Sequence, residues 1–237
     1  MNWLTEIIFA HRGLHNAQKN IIENSASAFD LAIQKQCGFE LDTLLSKDGI
    51  AMVFHDLSLE RLTEESGQII HRTALELTRM NLGNSQDKIA TLKQILNKTQ
   101  GQVPILIEIK GDQNEFIAVA EAVWHDIKDY SGNLAIMSFY PEILKHFKIN
   151  HPSVICGLVA TTIDDGDLRQ EYFIEENQIE TIKRLNIDFI AYDINALPNN
   201  TTEYCKSNNI PVLTWTVRSA EDNEKAKKFA DNIIFEH

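Results

Sequence analysis

Apolar and β-branched residues gather in short runs at 7–10, 39–45, 50–54, 103–109, 134–139, 154–160, 188–194, 211–217 and 232–235, and these read as strands. Amphipathic stretches separate them. Ala26, Phe29 and Ile33 share one helix face, as do Phe116, Val119, Ala120, Val123 and Ile127. Thr91 with Gln94, and Ser219 with Asp222, have the spacing of capping boxes, and Pro141 suits a first helical turn. The runs 39–45 and 50–54 are joined by Ser46-Lys47-Asp48-Gly49, whose Asp-Gly step predicts a local antiparallel hairpin. Counting that hairpin as one strand plus an excursion leaves eight β units alternating with helices. That is the pattern of an α/β chain folded as a (β/α)₈ TIM barrel, and an open doubly wound sheet shares it.

Residues 47–90 break the rhythm with the hairpin's return, a polar stretch around Glu64, Glu65 and Gly67, and a helical patch near 74–80. Such a segment reads as a small insertion after the second strand, of the kind that forms binding or lid elements. Nothing resembling a linker, a repeat or a low-complexity tract interrupts the chain, so residues 1–237 are expected to form a single domain.

Charge narrows the range of partners. The 237 residues carry 22 Lys+Arg against 34 Asp+Glu, a net −12, with no basic cluster to offset it. Nucleic-acid binding rests on cations that neutralise phosphates, so DNA and RNA are not expected partners. A small phosphorylated ligand stays open, because one bound cation outweighs net charge locally. Cys37, Cys156 and Cys205 are far apart and in no metal or redox spacing, which points to a reducing compartment. The N-terminal stretch reads as no signal peptide, and no apolar run approaches the roughly 18 residues of a membrane span. A cytoplasmic protein without a membrane anchor is expected, its oligomeric state open.

Four segments place polar groups where apolar strands end: His11-Arg12-Gly13, Glu40-Leu41-Asp42, His55-Asp56 and Glu108-Ile109-Lys110. In a parallel barrel those ends share the rim where active sites collect. Alternation along a strand lets Glu40 and Asp42 face one point, as Glu108 and Lys110 do. Three carboxylates converging there call for a cation, and oxygen donors without a Cys/His set favour Ca²⁺ or Mg²⁺ over zinc, with Mn²⁺ also admitted. His11 and His55 are the natural proton-transfer pair, and Arg12 and Lys110 supply positive charge for phosphate oxygens.

The ordered series of motifs resembles the glycerophosphodiester phosphodiesterase family. It runs from His11-Arg12-Gly13 through Glu23-Asn24-Ser25, Glu40-Leu41-Asp42, Ser46–Gly49, His55-Asp56 and Leu59-Glu60-Arg61-Leu62-Thr63. It continues through Glu76-Leu77, Thr91-Leu92 and Glu108-Ile109-Lys110 to Ser138-Phe139, Gly157 and Trp215-Thr216-Val217, and so covers nearly the whole chain. The resemblance implies a (β/α)₈ barrel that uses a divalent cation to cleave small glycerophosphodiesters into glycerol 3-phosphate and an alcohol. It makes His11 and His55 the acid–base pair, with His11 as base and His55 as acid, and Glu40, Asp42 and Glu108 the metal ligands. Arg12 and Lys110 become phosphate contacts, Trp215 a pocket-lining residue, and 47–90 the family's insertion. It also suggests attack by the substrate's own 2-hydroxyl, giving a cyclic phosphate that water opens.

Three departures from the family pattern stand out. Ile22 and Ala90 occupy positions where prolines are usual, and the last strand, ending Ile234-Phe235-Glu236-His237, lacks the usual glycines and Thr-Asp. The last of these predicts that the closing helix is absent or very short. Two other functions are compatible with this chain: a lysophospholipase D-like activity on the same scaffold, which would need apolar access for an acyl chain, and a non-catalytic protein that binds a phosphodiester or metal. The second would normally have lost part of the ligand or acid–base set, which is complete here.

Overall fold

In the computed structural model, residues 2–164, 166 and 168–236 are described. In chain order the elements are α1 Trp3–Glu6, β1 Phe9–Ala10, α2 Ala26–Gln34, β2 Gly38–Leu45, β3 Ala51–Val53, α3 Ala74–Leu77, β4 Ala90–Thr91, α4 Leu92–Thr99, β5 Ile105–Ile109 and α5 Phe116–Ile127. They continue with β6 Leu134–Ser138, α6 Pro141–Asn150, β7 Cys156–Ala160, α7 Glu175–Leu185, β8 Phe189–Asp193, α8 Asn200–Ser207, β9 Val212–Val217, α9 Ala220–Phe229 and β10 Asn232–Phe235. The fold is a (β/α)₈ TIM barrel, with β3 and β4 appended to β2, so the open doubly wound alternative falls. The chain divides into two compact units, one of residues 9–134 and one of 1–8 with 135–236.

The first unit is built on β2. All eight of its residues are buried, and it pairs in parallel with β1 and with β5, with Asp42 opposite Glu108. A strand buried on both faces must be apolar or paired throughout, so its two carboxylates need a specific reason to be there. Ser25 caps α2 by accepting from the Ala28 N–H, and Phe29 meets Phe39 with ring centroids 4.5 Å apart. The buried face of α2 is Ala28, Phe29 and Ala32, a small rotation from the predicted one, leaving Ala26 and Ile33 half-buried. On α5 the predicted face is buried as read, and the Thr91/Gln94 box caps α4.

The predicted hairpin forms. β3 runs antiparallel to β2 with Thr43 opposite Val53, and Gly49 takes φ +78° in the turn. The rest of 47–90 folds into an apolar cluster in which its Met52, Phe54, Leu59, Ile69, Leu77, Leu82 and Ile89 join Leu44 of β2. Ile22, in place of the usual proline, packs against that cluster. Asp48 ties the turn to α3 by accepting from Ser46 Oγ and the Ala74 N–H, both at 2.8 Å.

In the second unit, β7, β8 and β9 pair in parallel, with β6 beside β7 and β10 beside β9. Gly157 is required at its position: a Cβ there would lie 2.2 Å from the Phe189 ring. Asn232 anchors α1 to β10 by donating to the carbonyls of Leu4 and Ile7, each at 2.7 Å. Ser219 and Asp222 form the predicted capping box, and Pro141 opens α6. Some strands begin later than the apolar runs suggest. Residues 103–104 stay outside β5, where proline has no N–H to give a ladder, and Val154 is spent in a turn to the His151 carbonyl. Among the described residues, no helix is long and apolar enough to cross a membrane.

Candidate active site

β1 ends in a tight turn that sets the first functional residues. Arg12 adopts φ +55° and Gly13 φ +80°, and a Cβ on Gly13 would meet Ala28 Cβ at 2.9 Å. Glycine is therefore needed both for the backbone angle and for the close approach of α2. The turn aims the Arg12 N–H at Glu40 Oε2, 2.9 Å away, and leaves His11 Nε2 3.9 Å from that same oxygen. The Arg12 side chain reaches Glu23 Oε1 at 2.6 Å and stands 3.4 Å from Asp42 Oδ2.

Glu40 and Asp42 project from one face of β2, and their neighbour Glu108 lies in register on β5. One carboxylate oxygen from each lies within 4.8 Å of the others, and all three residues are buried. Such crowding is electrostatically costly. Burial, followed by the charges of Asp42 and Glu108, pushes the Glu40 carboxyl well above its usual range. Burial pushes Glu108 up to about 7, against the pull of Lys110. Burial would raise Asp42 too, but Lys110, His55, Arg12 and His11 outweigh it and hold that carboxyl below its usual value.

Two further features suit the group to holding a cation. Glu40 Oε1 is buried and accepts no hydrogen bond from any described residue. The donors are all hard carboxylate oxygens, the set that suits Ca²⁺, Mg²⁺ or Mn²⁺. A divalent ion would both neutralise the repulsion and occupy the idle oxygen, so the residues fit the group they were expected to hold.

The hairpin brings in His55. The Phe54 N–H donates to the Asp42 carbonyl at 3.1 Å, so the next residue stands beside the end of β2. His55 Nδ1 is 2.6 Å from Asp56 Oδ1, and its Nε2 is 2.7 Å from Lys110 Nζ. An ionised carboxylate only accepts and an ammonium only donates, so these partners select the neutral ring with its proton on Nδ1. Burial lowers the His55 pKa, and the positive charges of Lys110 and Arg12 work the same way against Asp42 and Asp56. Lys110 also lies 3.6 Å from Asp42 Oδ1.

The first unit thus gathers His11, Arg12, Glu40, Asp42, His55, Glu108 and Lys110 into one network. Trp215 belongs to the second unit, where its indole N–H donates to the Ala191 carbonyl at 2.9 Å and its ring meets Phe139 edge-on at 5.7 Å. No part in the reaction follows from those contacts.

Sequence reasoning gave no role to four residues of the network. Asn24, at φ +56°, donates to Asp42 Oδ2 at 2.8 Å and accepts from the Asp42 N–H at 3.2 Å. Asp56 and Glu23 are bridged by Arg61. An Asn just before a helix cap was the available signal for the first, since Asn tolerates the left-handed region. Glu23 meets Arg61 across 38 positions, a pairing that no local spacing encodes, whereas Asp56 lies next to His55 and five positions before Arg61.

A family model, the glycerophosphoryl diester phosphodiesterase family, matches residues 11–235. A glycerophosphodiester phosphodiesterase of Caldanaerobacter subterraneus subsp. tengcongensis is 28% identical over 239 residues, covering 96% of this chain and 93% of its own. Among solved structures, the glycerophosphodiester phosphodiesterase of Thermotoga maritima is similar at TM-score 0.77 and 28% identity, over 97% of this chain and 94% of that one. A phosphodiesterase of Oleispira antarctica, solved in complex with the product sn-glycerol-3-phosphate, has the same fold at TM-score 0.82 and 21% identity, over 97% and 92% of the two chains.

Proposed function

The chain belongs to the glycerophosphoryl diester phosphodiesterase family and is an enzyme of that activity, and on this premise we propose how its own residues hydrolyse a small glycerophosphodiester to glycerol 3-phosphate and an alcohol. The observation that carries the proposal is the buried Glu40–Asp42–Glu108 group with two histidines and two cations around it. Glu40, Asp42 and Glu108 would hold a divalent cation, Ca²⁺ or Mg²⁺ with Mn²⁺ also admitted, which would supply Lewis-acid stabilisation of charge at the phosphate. Arg12 and Lys110 bind phosphate oxygens, Arg12 through its planar fork and Lys110 as a point charge.

His11 and His55 move the protons. One takes the proton of the substrate's 2-hydroxyl as that oxygen attacks phosphorus, and the other gives a proton to the departing alcohol; water then opens the cyclic phosphate with the roles exchanged. The family resemblance assigns the base to His11. One observation favours the reverse order: in the neutral tautomer described above, the lone pair of His55 lies on Nε2, and its pKa is held low.

A substrate with a p-nitrophenol leaving group separates the two orders, since that group departs without a proton. The histidine variant whose loss it rescues is the acid. Replacing the substrate's 2-hydroxyl by hydrogen is expected to abolish cleavage, and an undiminished rate would overturn attack by that oxygen.

The substrate is a water-soluble phosphodiester on this reading. Lysophospholipase D-like action is the second choice; release of choline from a lysolipid but not from glycerophosphocholine would reverse the preference. We also place the protein in the cytoplasm, on the grounds that Cys37, Cys156 and Cys205 are buried free thiols.

A further inference from the structure

Arg61 lies in the 47–90 segment, where its guanidinium engages two carboxylates. Nε and one terminal nitrogen donate to the two oxygens of Asp56, at 2.6 and 3.0 Å. The two terminal nitrogens donate to the two oxygens of Glu23, at 2.9 and 2.8 Å. Each carboxylate also holds one residue to which the reaction assigns a task. Asp56 Oδ1 meets His55 Nδ1 at 2.6 Å, and Glu23 Oε1 accepts from Arg12 at 2.6 Å.

A carboxylate gripped in two parallel bonds by a planar fork has a fixed plane, whereas one facing a point charge can rotate. The plane of Asp56 sets the ring of His55, and the plane of Glu23 sets the fork of Arg12. We propose that Arg61 is a positioning residue that orients the proton-transfer group His55 and the phosphate-binding group Arg12 together, through Asp56 and Glu23. The inference rests on the roles proposed above for His55 and Arg12.

A purely structural role makes a different prediction. The Arg61 side chain is 46% exposed, and ion pairs that open to solvent stabilise a fold little, so its loss would then leave kinetics near normal. The electrostatics agree with a positioning role. Although burial raises Glu23, the bonds from Arg61 and the charge of Arg12 hold it below the usual range, so it stays ionised and able to grip both arginines. Asp56 is held low in the same way, by Arg61 and His55 against burial.

The test is steady-state hydrolysis of glycerophosphocholine by Arg61→Ala and Arg61→Lys, each alone and combined with Asp56→Asn or Glu23→Gln, with Tm recorded for every variant. Arg61→Ala is expected to lower kcat and raise KM, with kcat/KM falling about 10–100-fold, the scale on which outer supports of a site act. With Asp56→Asn already present, removing Arg61 should move KM only; with Glu23→Gln present, kcat only. Arg61→Lys keeps the charge and the stem but not the two forks, so it should fold normally and recover little activity. It also carries the test if Arg61→Ala folds poorly. Near-normal kinetics in Arg61→Ala, full recovery in Arg61→Lys, or strict additivity in both double variants would overturn the inference. His55→Ala and Arg12→Ala belong in the same assay. If they stay active the underlying assignment fails, and if they are inactive while Arg61→Ala is normal only the role of Arg61 fails.

Discussion

Asn24 carries more of the site than its chemistry suggests. It neither ligates nor transfers a proton in the proposed reaction, yet it donates to Asp42 Oδ2 and accepts from the Asp42 N–H while holding φ +56°. Asn24→Ala removes both bonds and leaves a left-handed backbone to a residue that tolerates it less well than Asn. Cation affinity is expected to fall about 10–100-fold, measured by titration calorimetry with Ca²⁺ or Mg²⁺, with the overall fold retained. Unchanged affinity would mean that Asp42 is oriented by its other neighbours alone. Gly13→Ala is expected to destabilise by about 1–3 kcal/mol in chemical denaturation, because φ +80° and the approach to Ala28 admit no Cβ. The functional groups themselves were legible in the sequence, since strand alternation puts Glu40 beside Asp42 and His11 follows an apolar run. Their supports were not. Asn24 reaches Asp42 across 18 positions and Arg61 reaches Glu23 across 38, separations at which spacing carries no signal.

Most elements were readable for the same reason as the chemistry. Capping at Thr91 and Ser219, proline at 141 and the Asp-Gly turn are local devices, and all appear where the spacing puts them. Ends were less readable, because proline at 104 and turns before Cys156 take residues that are apolar enough for a strand. The internal organisation of 47–90 was the larger gap. Outside β3 and α3 its apolar residues follow neither a helical nor a strand period, since they close a small core from several short turns. Phe54 is fully buried in that core and immediately precedes His55. Phe54→Ala is expected to cost about 3–5 kcal/mol of stability in denaturant unfolding, and to lower kcat through the displaced histidine. A loss of stability with normal kcat would separate the segment's core from the reaction.

At the scale of the whole molecule, the chain carries a net charge of −12, yet a cation held by the Glu40–Asp42–Glu108 group would make one point attractive to a phosphate. That group also links stability to pH. With no cation bound, Glu108 is raised from 4.5 to about 7, and Glu40 is raised as well. A raised folded-state pKa contributes stability that is complete below the unfolded value and is lost as pH rises through the folded one. The lowered carboxyls of Asp42, Glu23 and Asp56 contribute in the opposite sense, holding above their unfolded values and failing as pH falls. Cation binding competes with the protons on Glu40 and Glu108. The gain in Tm on adding Ca²⁺ or Mg²⁺ is therefore expected to grow between about pH 5.5 and 8, and a gain that is flat or shrinks over that range would place the cation elsewhere.

The proposed hydrolysis requires a cation held by Glu40, Asp42 and Glu108. Its most direct test is release of glycerol 3-phosphate from glycerophosphocholine by the purified protein, followed before and after EDTA and again after a divalent cation is restored. Release that stops with EDTA and returns with the cation is the predicted result; release that continues at full rate in EDTA, or no release under any of the three conditions, would contradict it.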